Sequence, residues 1–204
     1  KKLHSLDPKT KEYEDGKIEK AHIKSIINSY YGYMAFIGSR FYSIDMASSV
    51  TYMGRKIIEY TMKYVEEKGH KVIYGDTDSI FVELKSDNPV ETAKLLEVNI
   101  NESYNEFAKS MGINNHRFKI EFEKMYNPII FIAKEGGESA KKKYFGMLRY
   151  LDDKYIDKFE AKNFDMVKSD SSKLLKDLSN NTLKMIANGD NENKVSQYVE
   201  EAMS

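Results

Sequence analysis

Lys71-Val-Ile-Tyr-Gly-Asp-Thr-Asp-Ser-Ile-Phe-Val-Glu-Leu84 is the stretch that decides the fold class. Two β-rich runs flank a short turn rich in Gly and Asp, which is the pattern of a hairpin. Asp76 and Asp78 stand at the tip of this otherwise apolar ribbon. Residues two apart on a strand face the same side. Two carboxylates held that close repel, and one tends to be protonated unless a cation neutralises them. Hard divalent ions such as Mg2+ take a few carboxylates plus substrate phosphates as ligands. Two such ions can clamp the attacking and leaving oxygens of an in-line phosphoryl transfer. The plainer reading is a β-turn in which Asp caps the backbone. A metal-dependent glycosyltransferase also uses Asp-x-Asp, so three readings stand at this point.

Upstream of the hairpin, residues 45–68 spell a helix, with Met46, Val50, Met53, Ile57, Tyr60 and Tyr64 along one face and Gly69 as its stop. Gly32 and Gly38 punctuate an aromatic stretch from Tyr33 to Tyr42. Helical spacing begins at Ile18 and continues through Ile23, Ile26, Ile27, Tyr30 and Tyr31. Residues 1–17, broken by Pro8 and Gly16, read as a loop or short leader. Downstream, Asn88–Pro89 opens a helix over roughly 90–111 that closes near Gly112. Residues 117–150 read as strands: Phe118 to Glu123, Ile129 to Ala133, and Tyr144 to Tyr150, with a Gly136–Gly137 turn between the last two. From about residue 168 the chain is helical and polar, over Lys173–Asn188 and Asn193–Met203. The expected class is α+β, an antiparallel sheet bearing the Asp hairpin with helices packed on one face.

Composition narrows the function classes. The 204 residues fit one domain or one and a half. Hydrophobic residues at 41% and charged residues at 31% suit a soluble globular protein. Lys+Arg and Asp+Glu balance at 32 each, which argues against a simple basic coat protein. A local basic stripe still suffices to neutralise phosphates. With no cysteine, a disulfide framework, a thiolate metal site and a Cys nucleophile are excluded. Apolar runs fall well short of the ~20 residues of a membrane helix, and no signal-peptide pattern opens the chain. His4, His22, His70 and His116 are scattered without metal-ligand spacing.

A second constellation lies on the first helix. Lys24, Asn28 and Tyr31 are spaced i, i+4, i+7 and share one face. An ammonium, an amide and a phenol ring in one stripe suit a nucleoside triphosphate: charge for the phosphates, a donor beside it and a ring against the base pair. Gly32 lets backbone come close to a ligand. Taken alone, a Lys and an Asn on a helix are more often a solvated edge, and a Tyr at this spacing more often core.

Together the two signals carry a resemblance. Lys24-x-x-x-Asn28-Ser29-x-Tyr31-Gly32 resembles motif B of family B DNA polymerases, and Tyr74-Gly75-Asp76-Thr77-Asp78-Ser79 resembles their motif C. Arg40-Phe41-Tyr42 and Ala47-Ser48-Ser49-Val50-Thr51 are similar to the family's connecting segment, and Lys141-Lys142-Lys143-Tyr144 to its Lys-Lys-Lys-Tyr element. The four elements come in the family's order over about Lys20 to Asp170. The resemblance implies a polymerase palm whose sheet bears the Asp hairpin. Residues 1–44 would be leader and C-terminal fingers helix, 45–167 palm, and 168–204 a partial helical thumb. It implies that Lys24 and Asn28 contact the incoming deoxynucleoside triphosphate and that Tyr31 packs on the nascent base pair. Asp78 would be the indispensable ligand of two Mg2+ ions, with Asp76 supporting it. Lys141, Lys142, Lys143, Tyr144, Lys162 and Lys168 would grip primer–template DNA. Glu121 and Glu123 share a strand face; either could assist a metal, and a solvated strand face is an equal reading.

The departures are as informative. Where the family has Arg-Gly after the Lys-Lys-Lys-Tyr hairpin, this chain has Lys162–Asn163. Asn is among the best non-Gly residues at positive φ, and Lys keeps the charge without Arg's planar fork. Lys168-Ser169-Asp170 stands for the family's Arg-x-Asp. Motif A, an Asp followed by Ser-Leu-Tyr-Pro, has no counterpart, since Asp7–Pro8 lacks the rest. The exonuclease motifs and the first fingers helix have none either. The expectation is therefore the small subunit of a split polymerase, as some archaea have, or a piece excised from a longer chain. A larger polypeptide would supply motif A and the exonuclease, and an apolar face around the first helix and Tyr30–Tyr42 would meet it. A sliding clamp is a further candidate partner. The Lys-, Asn- and Ile-rich, Cys-free composition fits a thermophilic archaeon, and a cytoplasmic, nucleoid-associated setting follows for an archaeal or bacterial source. The competing readings are a non-catalytic DNA-binding or scaffold relative, and the glycosyltransferase, which leaves the helix stripe and the Lys-Lys-Lys-Tyr element unexplained.

Overall fold

The structure, a computed structural model, describes residues 10–133, 139–164 and 172–203, with the side chains of 133, 139–141 and 203 outside that description. The Gly136–Gly137 turn and Lys168 lie outside the described residues. The chain forms two compact units, the first ending at Phe122 and the second starting at Glu123.

The first unit opens with α1 (Lys11–Ala35). Residues 11–17, expected as loop, are its first two turns. Thr10 caps the helix by accepting from the Tyr13 backbone N–H at 3.3 Å, and Glu12 and Glu14 occupy the first turn, where the helix dipole favours acid. These outweigh the cost of Gly16 inside the helix, about 1 kcal/mol. Only Met34 of α1 is buried. It lies where the chain turns back, with Ser43 N–H donating to Met34 O at 2.9 Å and Tyr30 meeting Phe41 at 6.1 Å between ring centroids.

Ser43 caps α2 (Ile44–Glu67), which ends at Gly69 with φ 84°. That left-handed residue lets His70 N–H reach Val65 O and Gly69 N–H reach Glu66 O, closing orphan carbonyls of the last turn. The hairpin follows as β1 (Lys71–Asp76) and β2 (Ser79–Glu83), a two-stranded antiparallel sheet of its own. Then comes α3 (Pro89–Ser110), with proline in its first turn, where the missing N–H costs nothing. Val65, Leu96, Ile100, Tyr104 and Phe107 form the core between α2 and α3, and Val72, Ile80 and Val82 of the hairpin pack against it. Tyr60 stacks on Phe107 at 4.6 Å. Thr61 and Tyr104, both fully buried, join hydroxyls at 2.7 Å.

Phe118 to Glu123 was expected as a strand and is not one. The alternation holds, with Phe118, Ile120 and Phe122 half-buried and Lys119, Glu121 and Glu123 exposed. The backbone partners, however, are side chains: Phe118 N–H donates to the neighbouring His116 Nδ1 at 3.2 Å, and the rest come from α3. Asn101 donates to Ile120 O and accepts from Ile120 N–H, both at 2.9 Å, and Glu97 accepts from Phe122 N–H at 3.1 Å. A buried backbone needs partners, and helix side chains supply them here instead of a neighbouring strand.

The second unit is a three-stranded antiparallel sheet, β3 (Lys124–Ala133), β4 (Ser139–Leu151) and β5 (Lys154–Lys162), in that spatial order. The strand β5 was not anticipated. It is turned back by Asp152 and Asp153, at φ 48° and 61°, between the paired Leu151 and Lys154. Asp tolerates this region far better than most residues, so the pair does the work usually given to Asn-Gly. One face of the sheet carries Phe145, Met147, Phe159 and Ala161, packed with Leu183 and Ala187 of α4 (Lys173–Ala187). Asn181 of α4 donates to Tyr198 Oη of α5 (Glu192–Met203) at 2.9 Å. At Gly146 a Cβ would press into Pro128 O and come within 3.0 Å of Ile129 Cα, so β3 and β4 approach there only because β4 is bare. Helices and small antiparallel sheets together make the α+β class read from the sequence.

Candidate active site

The hairpin register pairs Asp76 with Ser79, which leaves Thr77–Asp78 as a two-residue turn. Asp76 therefore ends a strand while Asp78 stands in the turn, and strand alternation does not fix their relative directions. Asp76 shares the half-buried phase of Val72 and Tyr74, whereas Asp78 is exposed. Thr77 has φ 26°, a conformation costly for a β-branched side chain, and its hydroxyl donates to Asp76 Oδ1 at 3.1 Å. Strain of this kind persists where the surroundings impose it, and turns at functional sites are a common place for it. On the α2 side Gly75 presents bare backbone, its missing Cβ only 3.4 Å from the Met62 sulfur.

Two carboxylates on one tip suit a hard divalent cation as part of a ligand set. Among the described residues no three His, Cys, Asp or Glu side chains come together as a metal-ligand group. The tip thus fits such an ion together with ligands from outside these residues or from substrate phosphates. Glu121 is ion-paired with Lys119, and Glu123 is exposed.

Lys24, Asn28 and Tyr31 lie on α1 as the spacing predicts, all three exposed. On the other side of the helix Ser25, Ile26, Ser29, Tyr30 and Tyr33 line a shallow open groove. The helix side and the hairpin tip belong to the same unit, and α2 packs against both α1 and β1.

The basic group is carried by the second unit. Lys142 is exposed at φ 68°, and Lys143 and Tyr144 are half-buried. Only the backbone of Lys141 is described. Lys162 pairs with Glu160 at 2.8 Å, and the same carboxylate accepts from Tyr126 Oη and from Lys124 at 3.4 Å. Lys124 also lies over the Tyr126 ring, which meets Tyr144 edge-on at 6.0 Å. This network was not anticipated. Its only sequence signal is Glu160 two residues before Lys162, informative once β5 is known to be a strand. Burial alone would push the Glu160 carboxyl up, but the hydrogen bonds from Lys162 and Tyr126 and the charge of Lys124 outweigh it and hold the pKa at about 2, below the usual 4.5. Burial first, then the bond to Glu160, pushes the Tyr126 hydroxyl well above its ordinary value.

A pH dependence follows. A depressed carboxyl pKa gives stability that is full above the unfolded value and is lost as pH falls from about 4.5 through about 2. The second unit should lose on the order of 2–3 kcal/mol over that window. Denaturant midpoints taken between pH 5.5 and pH 2 measure it, and Glu160→Gln should flatten the curve; an unchanged slope in that variant refutes the assignment.

The family model described as DNA polymerase family B matches residues 4–204. Among curated proteins, the chain is 32% identical to the DNA polymerase delta catalytic subunit of Glycine max, over 97% of this chain and 18% of that protein. It is 33% identical to the DNA polymerase alpha catalytic subunit of Mus musculus, over 80% of this chain and 10% of that protein. It is also 33% identical to a DNA polymerase of Desulfurococcus sp. (strain Tok), over 80% of this chain and 19% of that protein. The chain therefore corresponds to less than a fifth of each of these relatives. No helix among the described residues is long and apolar enough to cross a membrane.

Proposed function

The chain belongs to DNA polymerase family B, and we propose that it is the palm and partial thumb of a DNA-directed DNA polymerase, active only with a partner or an upstream segment that supplies motif A. The observation that carries this reading is the Asp76–Asp78 tip and the Lys24–Asn28–Tyr31 stripe within one unit. In this reading residues 1–44 supply the last fingers helix, 45–167 the palm and 168–204 the thumb.

The chemistry asked of these residues is positioning and charge. Lys24 and Asn28 hold the triphosphate of an incoming deoxynucleotide, and Tyr31 sets its ring against the nascent base pair. The primer 3′-oxygen bonds to the α-phosphorus as the bond to the bridging oxygen breaks, and pyrophosphate leaves. Two Mg2+ ions, held by Asp78, by Asp76 and by a motif A carboxylate from a partner or an upstream segment, would supply the neutralising charge. Lys142, Lys143, Tyr144 and Lys162, with Lys141 and Lys168, grip the primer–template backbone. Phosphate contacts carry no sequence information, as an enzyme that copies any template requires.

The apolar surface around α1 supports a covering polypeptide. Ile26 is 67% exposed and Ile37 80%, with Ile27, Phe36 and Phe41 also open. Large apolar side chains left open in such number around one helix suit a surface that another segment covers. A sliding clamp is a further partner in this reading, and a cytoplasmic, nucleoid-associated setting goes with an archaeal or bacterial source.

Primer extension with Mg2+, for the purified chain alone and mixed with any co-purifying polypeptide, is the test. Extension by the mixture and not by the chain is the expected result. Primer–template binding without extension in either sample would replace the reading with a non-catalytic DNA-holding relative.

A further inference from the structure

We propose that Asn163 is a positioning residue for DNA backbone phosphate: its side-chain amide clasps the main chain of Lys142 and so sets where Lys142 presents its ammonium group. This rests on the polymerase reading above, in which Lys142 grips primer–template.

The pairing of β4 and β5 ends at Tyr144 opposite Lys162. Just beyond it Asn163 follows the end of β5 at φ 59°, while β4 runs on toward Ser139 and is interrupted at Lys142, φ 68°, where its register against β3 shifts between the Phe131–Tyr144 and Ala133–Ser139 pairs. Across from this irregularity Asn163 Nδ2 donates to Lys142 O at 2.7 Å. A left-handed backbone is natural for Asn and uncommon for Lys, whose Cβ crowds the following carbonyl. Lys142 therefore needs an outside hold to stay in that conformation, and the amide of Asn163 is one.

The frame around the clasp is fixed on the other strand. Phe159 and Ala161 point into the core, so strict alternation would send residue 163 there as well. The left-handed turn at Asn163 shifts the phase by one residue. Phe164 instead enters the core, edge-on to Phe145 at 5.9 Å. Lys162 is tied to Glu160 on the opposite face. Asn163 is thus anchored from both neighbours, and Lys142, exposed at its surface, takes its direction from it. Glycine at 163 would allow the same φ but has no donor. Aspartate keeps the shape and the tolerance for left-handed backbone, yet turns an acceptor toward the Lys142 carbonyl.

The experiment is primer–template affinity of the complete polymerase containing this chain, for the unsubstituted protein, Asn163→Gly, Asn163→Asp, Lys142→Ala and the double variant Lys142→Ala/Asn163→Gly, with thermal midpoints for each. We expect affinity to fall about tenfold in Asn163→Gly and Asn163→Asp at physiological salt. In the Lys142→Ala background Asn163→Gly should cost almost nothing more, because the cation it positions is gone. Unchanged affinity in both single variants overturns the inference. So does a fall that adds fully to that of Lys142→Ala, since it assigns Asn163 a role independent of Lys142. If the unsubstituted polymerase neither binds nor extends primer–template, the polymerase reading itself fails and this inference fails with it.

Discussion

Asp78→Ala should lower primer extension by the complete polymerase by at least about a thousandfold, while leaving the fold intact. Asp78 is exposed in a two-residue turn, and the core-packing residues of the hairpin are Val72, Ile80 and Val82. Truncating an exposed turn residue changes stability by no more than roughly 0.5 kcal/mol. The loss is thus separable from unfolding by a thermal midpoint taken alongside the rate. Asp76→Ala should cost less in rate, about tenfold to a hundredfold, because in the proposed reading its carboxylate has only a supporting role, and it ends a strand and accepts from the Thr77 hydroxyl. Near-normal extension by Asp78→Ala would sink the assignment of this tip to nucleotidyl transfer.

The largest stability effect is expected at Tyr104. Its side chain is 1% exposed, between Tyr60, Thr61 and Phe118. Tyr104→Ala removes a buried ring from the core and should cost about 3–5 kcal/mol. The hydroxyl bond sharpens the prediction. Thr61 Oγ1 spends its only proton on Ile57 O at 2.7 Å, so Tyr104 is the donor between the two hydroxyls. Burial pushes the Tyr104 hydroxyl pKa up, which keeps that donor proton in place. Thr61→Val therefore strands a buried donor, at about 1–3 kcal/mol, whereas Tyr104→Phe gives up one hydrogen bond, at about 0.5–1.5 kcal/mol. Denaturant titration of the three variants, with the m-value held to the wild-type slope, gives the ranking. A cost below about 1 kcal/mol for Tyr104→Ala would place this ring outside the core that holds the hairpin.

The elements legible in the sequence are those with strong periodicity and clean stops. The helix over Ile44–Glu67 ends at a glycine that takes positive φ, and the hairpin turn falls where Gly and Asp cluster. What was hidden depended on partners far along the chain. The alternation of Phe118, Ile120 and Phe122 is strand-like, but Asn101 and Glu97, 19 and 25 residues before their partners, satisfy the backbone of Ile120 and Phe122 from a helix. Periodicity reports which face is buried, not who supplies the hydrogen bonds. Lys154 to Lys162 is lysine-rich with weak alternation, and only its pairing with β4 makes it a strand. The N-terminal turns of α1 carried a legible cap in Thr10 and an acidic first turn, which Gly16 and Pro8 masked. Of the candidate site, the acidic tip and the helix stripe were readable because their residues are close in sequence. The Glu160 network and the Asn163 clasp were not, because each joins separate strands.

The helix α1 is also a mechanical lever. Its 25 residues reach about 37 Å, and its buried hold on the rest of the unit is Met34, near the C-terminal end. Lys24 sits ten residues from that fulcrum, a radius of about 15 Å. Each degree of tilt at Met34 carries its ammonium group sideways by roughly a quarter of an ångström. Small repacking around Met34, Phe41 and Ser43 therefore moves the stripe by whole bond lengths wherever no covering segment braces the helix, so in the proposed reading the reach of Lys24 and Asn28 toward the triphosphate is set less by those residues than by the joint behind them.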